Sequence, residues 1–150
     1  MNNSQFLSVS VMTVILLTAA TTLHAESEES IKPLVLQGVM QQLGHDMQDV
    51  TWAIATENWS TVAELSPKIA RHAQPPIMEK LRILSWLGSD AGKFRELDGD
   101  VHDAAMAMRE AAMRGEGQAV ISAFSEVQLS CMGCHLNFRE PFIKHFYDQR

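Results

Sequence analysis

The chain has 150 residues, with 12 Lys and Arg against 18 Asp and Glu, a formal charge of −6 at pH 7 and 46% hydrophobic residues. That length suits one domain with a core of its own. The acidic balance argues against nucleic acid or an anionic membrane face as a partner, and would suit either a basic docking protein or plain solubility.

The first 25 residues contain no charged side chain. An apolar run from Val9 to Ala20 is followed by small and polar residues ending Leu23-His24-Ala25, and then by the acidic Glu26-Ser27-Glu28-Glu29. This is the order of an export signal and its cleavage site, and the run is shorter than the roughly 20 apolar residues of a membrane span. The expectation is a signal peptide over 1–25, cleaved after Ala25, and a mature domain over 26–150 without a membrane span. Because the start lacks Lys and Arg and Leu23 is bulky for a cleavage site, an uncleaved N-terminal anchor is the alternative.

Beyond the signal no stretch alternates strongly enough for a sheet, and the pattern is helical. Ser30 and Pro33 are placed to start a first helix. Its apolar stripe is Leu36, Met40, Leu43, Met47, Val50 and Ile54, broadened by Val39, Trp52 and Ala53, the spacing of a helix buried on one face. Glu57-Asn58-Trp59 interrupts it. Ser60 or Thr61 would cap a second helix, with Thr61 and Glu64 in the form of a capping box. That helix would bury Val62, Leu65, Ile69 and Ala73, start late or kink at Pro67, and stop at Gln74-Pro75-Pro76.

A short amphipathic piece spans Ile77 to Leu87, and Gly88 to Gly92 reads as a loop. A third long helix, about Lys93 to Arg114, presents Phe94, Leu97, Val101, Ala104, Ala105 and Met108, with Gly115 as its stop. The fourth runs from about Gln118, presenting Val120, Phe124, Val127, Cys131, Cys134 and Phe138, and Pro141 should end or kink it. Four amphipathic helices with short connections predict an all-α fold, an antiparallel up-and-down four-helix bundle.

Both cysteines of the chain lie in Cys131-Met132-Gly133-Cys134-His135, the C-x-x-C-H signature of covalent c-type haem attachment. On a helix the three side chains emerge on one face. Two thiols can then add to the two vinyl groups of one haem while the imidazole binds iron. A disulfide between positions three apart closes almost no loop. A redox Cys pair would open a helix after a strand, and zinc would need about four ligands where no second Cys/His cluster appears. Haem c, one per chain, is therefore expected on Cys131 and Cys134, with His135 as the proximal axial ligand.

Methionine is a common partner for histidine in electron-carrying cytochromes. Met1 and Met12 belong to the signal, and Met132 lies within the motif and cannot reach the far face of the ring. Met78, Met106, Met108 and Met113 read as core filling or surface, leaving Met40 and Met47 on the first helix. If the fourth helix ends between Glu140 and Tyr147, His135 lies roughly 8–18 Å from that end at 1.5 Å per residue. The same distance along an antiparallel first helix reaches positions 36 to 43, which include Met40 but not Met47.

A C-x-x-C-H on the last of four helices resembles the cytochrome c′ family and its low-spin relatives. The resemblance extends over roughly Ile31 to Phe142 and is most specific at Cys131 to Arg139, where the family also places a basic residue four after the histidine. Leu43-Gly44-His45-Asp46-Met47 and Glu57-Asn58-Trp59 are weaker landmarks. Aligning them implies that Met40 stands at the family's distal position, a methionine ligand in low-spin members and a non-coordinating residue in high-spin ones. Where members often carry an Arg-Gln pair near a haem propionate, this chain has Leu36-Gln37.

His45, His72, His102 and His145 read as ordinary helix-surface histidines, and Glu96, Asp98, Asp100 and Asp103 as a solvated face or a docking patch. No nucleophile–base–acid constellation is visible, so no enzyme is expected. The functional expectation is a periplasmic single-electron carrier with electron-transfer proteins as partners. The alternative is a five-coordinate or Met-gated protein that binds nitric oxide or another diatomic gas. The resemblance also implies a homodimer through outer helices.

Overall fold

The computed structural model describes residues 33–148, so the predicted signal peptide lies outside the described residues. These residues form six α-helices: α1 (Val35–Ala55), α2 (Trp59–Ala70), α3 (Ile77–Leu87), α4 (Ala91–Met113), α5 (Gly117–Cys134) and α6 (Glu140–Phe146). The four long ones, α1, α2, α4 and α5, make the expected bundle. α4 packs along both α2 and α5, α1 packs along α2, and α1 approaches α5 only briefly. Among the described residues no helix is long and apolar enough to cross a membrane.

The two hairpins of the bundle close in the same way. After α1, Asn58 N–H donates to Ala53 C=O and Glu57 N–H to Ile54 C=O, at 2.8 and 3.0 Å. After α4, Glu116 N–H donates to Ala111 C=O and Gly115 N–H to Ala112 C=O, both at 3.0 Å. This paired closure needs one residue in the left-handed region. Gly115 takes it at φ 69°, and Glu57 takes it at φ 52° despite its side chain. Each connection is so short that the next helix must run antiparallel. The hairpins meet at Gly117, where a Cβ would lie 2.9 Å from the Trp59 ring.

Asn58 is also the cap of α2, its Oδ1 accepting from Thr61 N–H at 3.2 Å. The expected Ser60 and Thr61 caps are displaced by two or three positions, because Asn58 can close α1 and open α2 at once. Pro67 lies inside α2 without ending it. The helix stops at Ala70, so Ala73 is exposed rather than buried. The expected loop at Gly88 to Gly92 is a single 3₁₀ turn, Gly88–Asp90, running straight into α4.

Pro141 does not end the last helix. Its ring has no N–H to donate and would press on the carbonyl four residues back. Residues His135–Arg139 widen into a π turn, which relieves that clash and lets the chain continue as α6. Asn137 Nδ2 donates to Gly133 C=O across the turn at 2.6 Å.

Two apolar clusters fill the molecule. The main one joins the four bundle helices through Val50, Val62, Ile69, Ala105, Met108, Val120 and Val127, all essentially solvent-free. The second, at the end where α5 passes into α6, buries Leu34, Ile83, Leu87, Phe138 and Phe146. Here α3 supplies a long-range cap. Glu79 accepts from Val35 N–H and Leu36 N–H, both at 2.8 Å, at the start of α1, where no side chain of the N-cap residue serves. A carboxylate on two first-turn amides satisfies orphan donors and opposes the helix dipole. Glu79→Ala should therefore cost about 1–2 kcal/mol in chemical denaturation, with faster exchange of the Val35 and Leu36 amides.

Candidate functional site

The five motif residues straddle the junction of two helical registers. Cys131 to Cys134 complete α5, and His135 is both its C-cap and the first residue of the π turn. Gly133 packs against α4, a Cβ there falling 3.4 Å from Leu97 Cδ2. Both cysteines are free thiols and partly buried. Cys131 packs against the main cluster, which also holds the partly buried Leu43, Met47 and Phe124. Cys134 packs against the second, beside Leu36, Phe94 and Leu97.

Burial raises the Cys131 thiol above the ordinary range. Cys134 is pushed up to about 11, first by burial and then by the negative charges of Asp98 and Cys131. Both sulfurs are thus held as neutral thiols at neutral pH, and the thiolate is the reactive form of cysteine. Covalent chemistry at these atoms is easier before the bundle closes around them. His135 differs from the two cysteines in being exposed; its backbone N–H donates to Cys131 C=O and Met132 C=O, while its imidazole has no hydrogen bond or ion pair to a described residue.

On α1 the expected stripe is buried along one edge only, and Trp52, expected to broaden it, is 72% exposed. Val39, Asp46, Val50 and Ala53 are buried, whereas Leu36, Leu43, Met47 and Ile54 are only partly so and Met40 is 41% exposed. Small side chains let α1 settle against α2. The longer apolar ones therefore fall on the adjoining flank, away from α2. In an antiparallel bundle that flank looks toward α5, where the two helices barely meet. Met47 is engaged in the main cluster; Met40 is in neither cluster.

The donor set and its surroundings suit a covalently held haem. Two thiols stand one helical turn apart on an apolar face, an unpartnered imidazole follows, and aromatic and aliphatic side chains flank both sulfurs. Among the described residues no group of three or more His, Cys, Asp or Glu is placed to share a metal ion. Cys131, Cys134 and His135 would hold the group.

Two residues read as ordinary surface groups have specific partners. His72, just after α2, has a side chain only 13% exposed. Its Nδ1 is 3.2 Å from Ile69 C=O, and its Nε2 is 3.4 Å from Asp98 of α4. Asp98, one acid of the expected solvated run, thus pairs with His72 while its own side chain stays 49% exposed. Nothing in the spacing separated it from Glu96 or Asp100; the only clue was its place one residue after Leu97 on the buried stripe.

A search of curated proteins and a search of solved structures both return no match. The family model for cytochrome c′ matches residues 35–139, from the first residue of α1 to the last of the π turn. With that match over most of the bundle, and a haem-attachment motif on its final helix, the chain belongs to the cytochrome c′ family of haem c proteins.

Proposed function

We propose that the protein is an exported, periplasmic mono-haem cytochrome that carries single electrons between redox proteins. Cys131 and Cys134 form its thioethers, and His135 and Met40 bind its iron from opposite faces. The observation that carries this reading is the half-covered apolar flank of α1, with Met40 on it and outside both core clusters, beside the thin seam between α1 and α5. Haem supplies a one-electron ferrous–ferric couple when bound. His135 offers an imidazole nitrogen that no other side chain claims, and Met40 a soft thioether that favours the reduced state. A ligand pair held on two helices of one bundle needs little rearrangement when charge changes, which suits an electron carrier.

The electronic absorption of the oxidised protein tests the assignment. A methionine–iron charge-transfer band is expected, and Met40→Ala should abolish it, lower the midpoint potential and yield high-spin iron open to carbon monoxide. A high-spin spectrum as isolated, unchanged in Met40→Ala, would overturn both the ligand and the carrier.

The second reading, reversible binding of nitric oxide or a similar diatomic gas by displacement of Met40, is favoured by the same seam. A wall helix that barely touches α5 can move outward. Ready carbon monoxide binding by the unmodified ferrous protein would select it.

A further inference from the structure

The carboxylate edge of the haem needs a place in this bundle, and the cations available to it are few. Neither α1 nor α5 contains a Lys or Arg. Haem carries its two propionates on the edge opposite the vinyl groups, so an edge fixed to α5 at Cys131 and Cys134 turns its carboxylates away from that helix. The helix diagonal to α5 is α2, since α4 packs between them and α1 closes the other side.

At the C-terminal end of α2 there is a cavity of about 380 Å³. Its apolar wall is Val39 and Leu43 of α1, and its polar rim includes Lys68, Arg71 and His72. The cavity lies level with the motif: His72, which lines it, meets Asp98 at 3.4 Å, and Leu97, next to Asp98 on α4, lies against Gly133 of the motif, where a Cβ would fall 3.4 Å from its Cδ2. His72 is already committed to Ile69 and Asp98. Asp46, the acid in the cavity wall, accepts from Gln42 Nε2 at 3.0 Å. Lys68 and Arg71 have no carboxylate within 4.0 Å among the described residues, whereas Arg109 and Arg114 each have one at 2.8 Å. Two cations without an ion-pair partner, at the rim of a cavity with an apolar wall, form a site for an anion attached to an apolar body.

We propose that Lys68 and Arg71 hold the haem propionates, Arg71 by its guanidinium fork and Lys68 as a point charge. The inference rests on haem being attached at Cys131 and Cys134, and is independent of whether Met40 binds the iron. Arginine suits this role because its planar fork matches a carboxylate. A cation held beside the haem also opposes the extra positive charge of ferric iron and so raises the potential.

The test uses the haem-loaded protein with Lys68→Gln, Arg71→Gln and the double variant, and Arg114→Gln, at the other end of α4, as control. Resonance Raman of the propionate bending mode should shift in both single variants and further in the double, with no shift in the control. The midpoint potential should fall in the same order, while the methionine–iron band stays as in the parent protein. A propionate mode and potential in the double variant equal to those of the control would overturn the proposal while leaving axial ligation untouched. Conversely, shifted propionate modes in a protein with no methionine–iron band would uphold the anchor and remove Met40 as ligand.

Discussion

Cys131→Ser with Cys134→Ser should give a polypeptide that carries no haem through denaturing electrophoresis, a complete loss by haem stain. Serine keeps the size and helical placement of each side chain but cannot form a thioether, so the change is chemical and nearly isosteric. Each single variant keeps one attachment point and should stain at an intermediate level, with an altered absorption because one vinyl group remains unsaturated. The two sites should not be equal. Cys134 is the harder thiol to ionise, held up to about 11 by burial, Asp98 and Cys131, so its attachment depends more on reaction before folding. Undiminished staining of the double variant would remove these residues as the covalent site.

The largest effect on stability is expected at the opposite end of α4. Met108 has no solvent exposure and lies in the main cluster with Ala105, Ala111, Ala112 and Val120. Alanines have no side-chain torsion with which to fill a void, so Met108→Ala leaves most of its volume empty. The expected cost is about 3 kcal/mol, within the range of 2–5 for buried methionine. With a urea slope of about 1–3 kcal/mol per molar, the midpoint should fall by at least about 1 M. Met108→Leu conserves volume and should cost less than about 1.5 kcal/mol. Met113→Ala, five residues on and 60% exposed, should stay within about 0.5 kcal/mol of the parent. Equal losses at positions 108 and 113 would mean that burial is not what decides the cost.

These contrasts show what a linear sequence conveys and what it conceals. The α4 and α5 stripes were legible because their cores follow the helical period: Val101, Ala105 and Met108 are buried as expected, and Val120, Val127 and Phe138 likewise. The α1 stripe had the same period but is buried along only one edge, through Val39, Val50 and Ala53. Hydrophobic spacing reports that a helix has an apolar side, not which neighbour settles against it. Small Val39 and Ala53 won the contact with α2, and the longer side chains were left facing the seam.

Termini were misjudged where one residue serves two helices, as Asn58 does; the break expected before Pro141 takes the form of a π turn over His135–Arg139 rather than an end. The motif itself was plain from its spacing, and the family match extends over the bundle that carries it. The pairing of His72 with Asp98, and the cavity that joins Val39 and Leu43 to Lys68, Arg71 and His72, were not legible, because they arise from the packing of helices distant in sequence.

The clasp at the start of α1 has a further consequence for how the chain is strung. Leu34 N–H donates to the Tyr147 hydroxyl at 3.2 Å, so the beginning of the first helix and the end of the last are already side by side. The bundle is topologically a ring of helices cut at one point. A short bridge from the region of Tyr147 to Leu34, with a new opening between the two hairpin helices at Glu57, would leave the packed helices in place, since exposed turns tolerate such rewiring. On that ring the haem motif has no intrinsic place at the tail. It is a fixed station between the α3–α6 end and the Trp59–Gly117 end, wherever the chain is made to start.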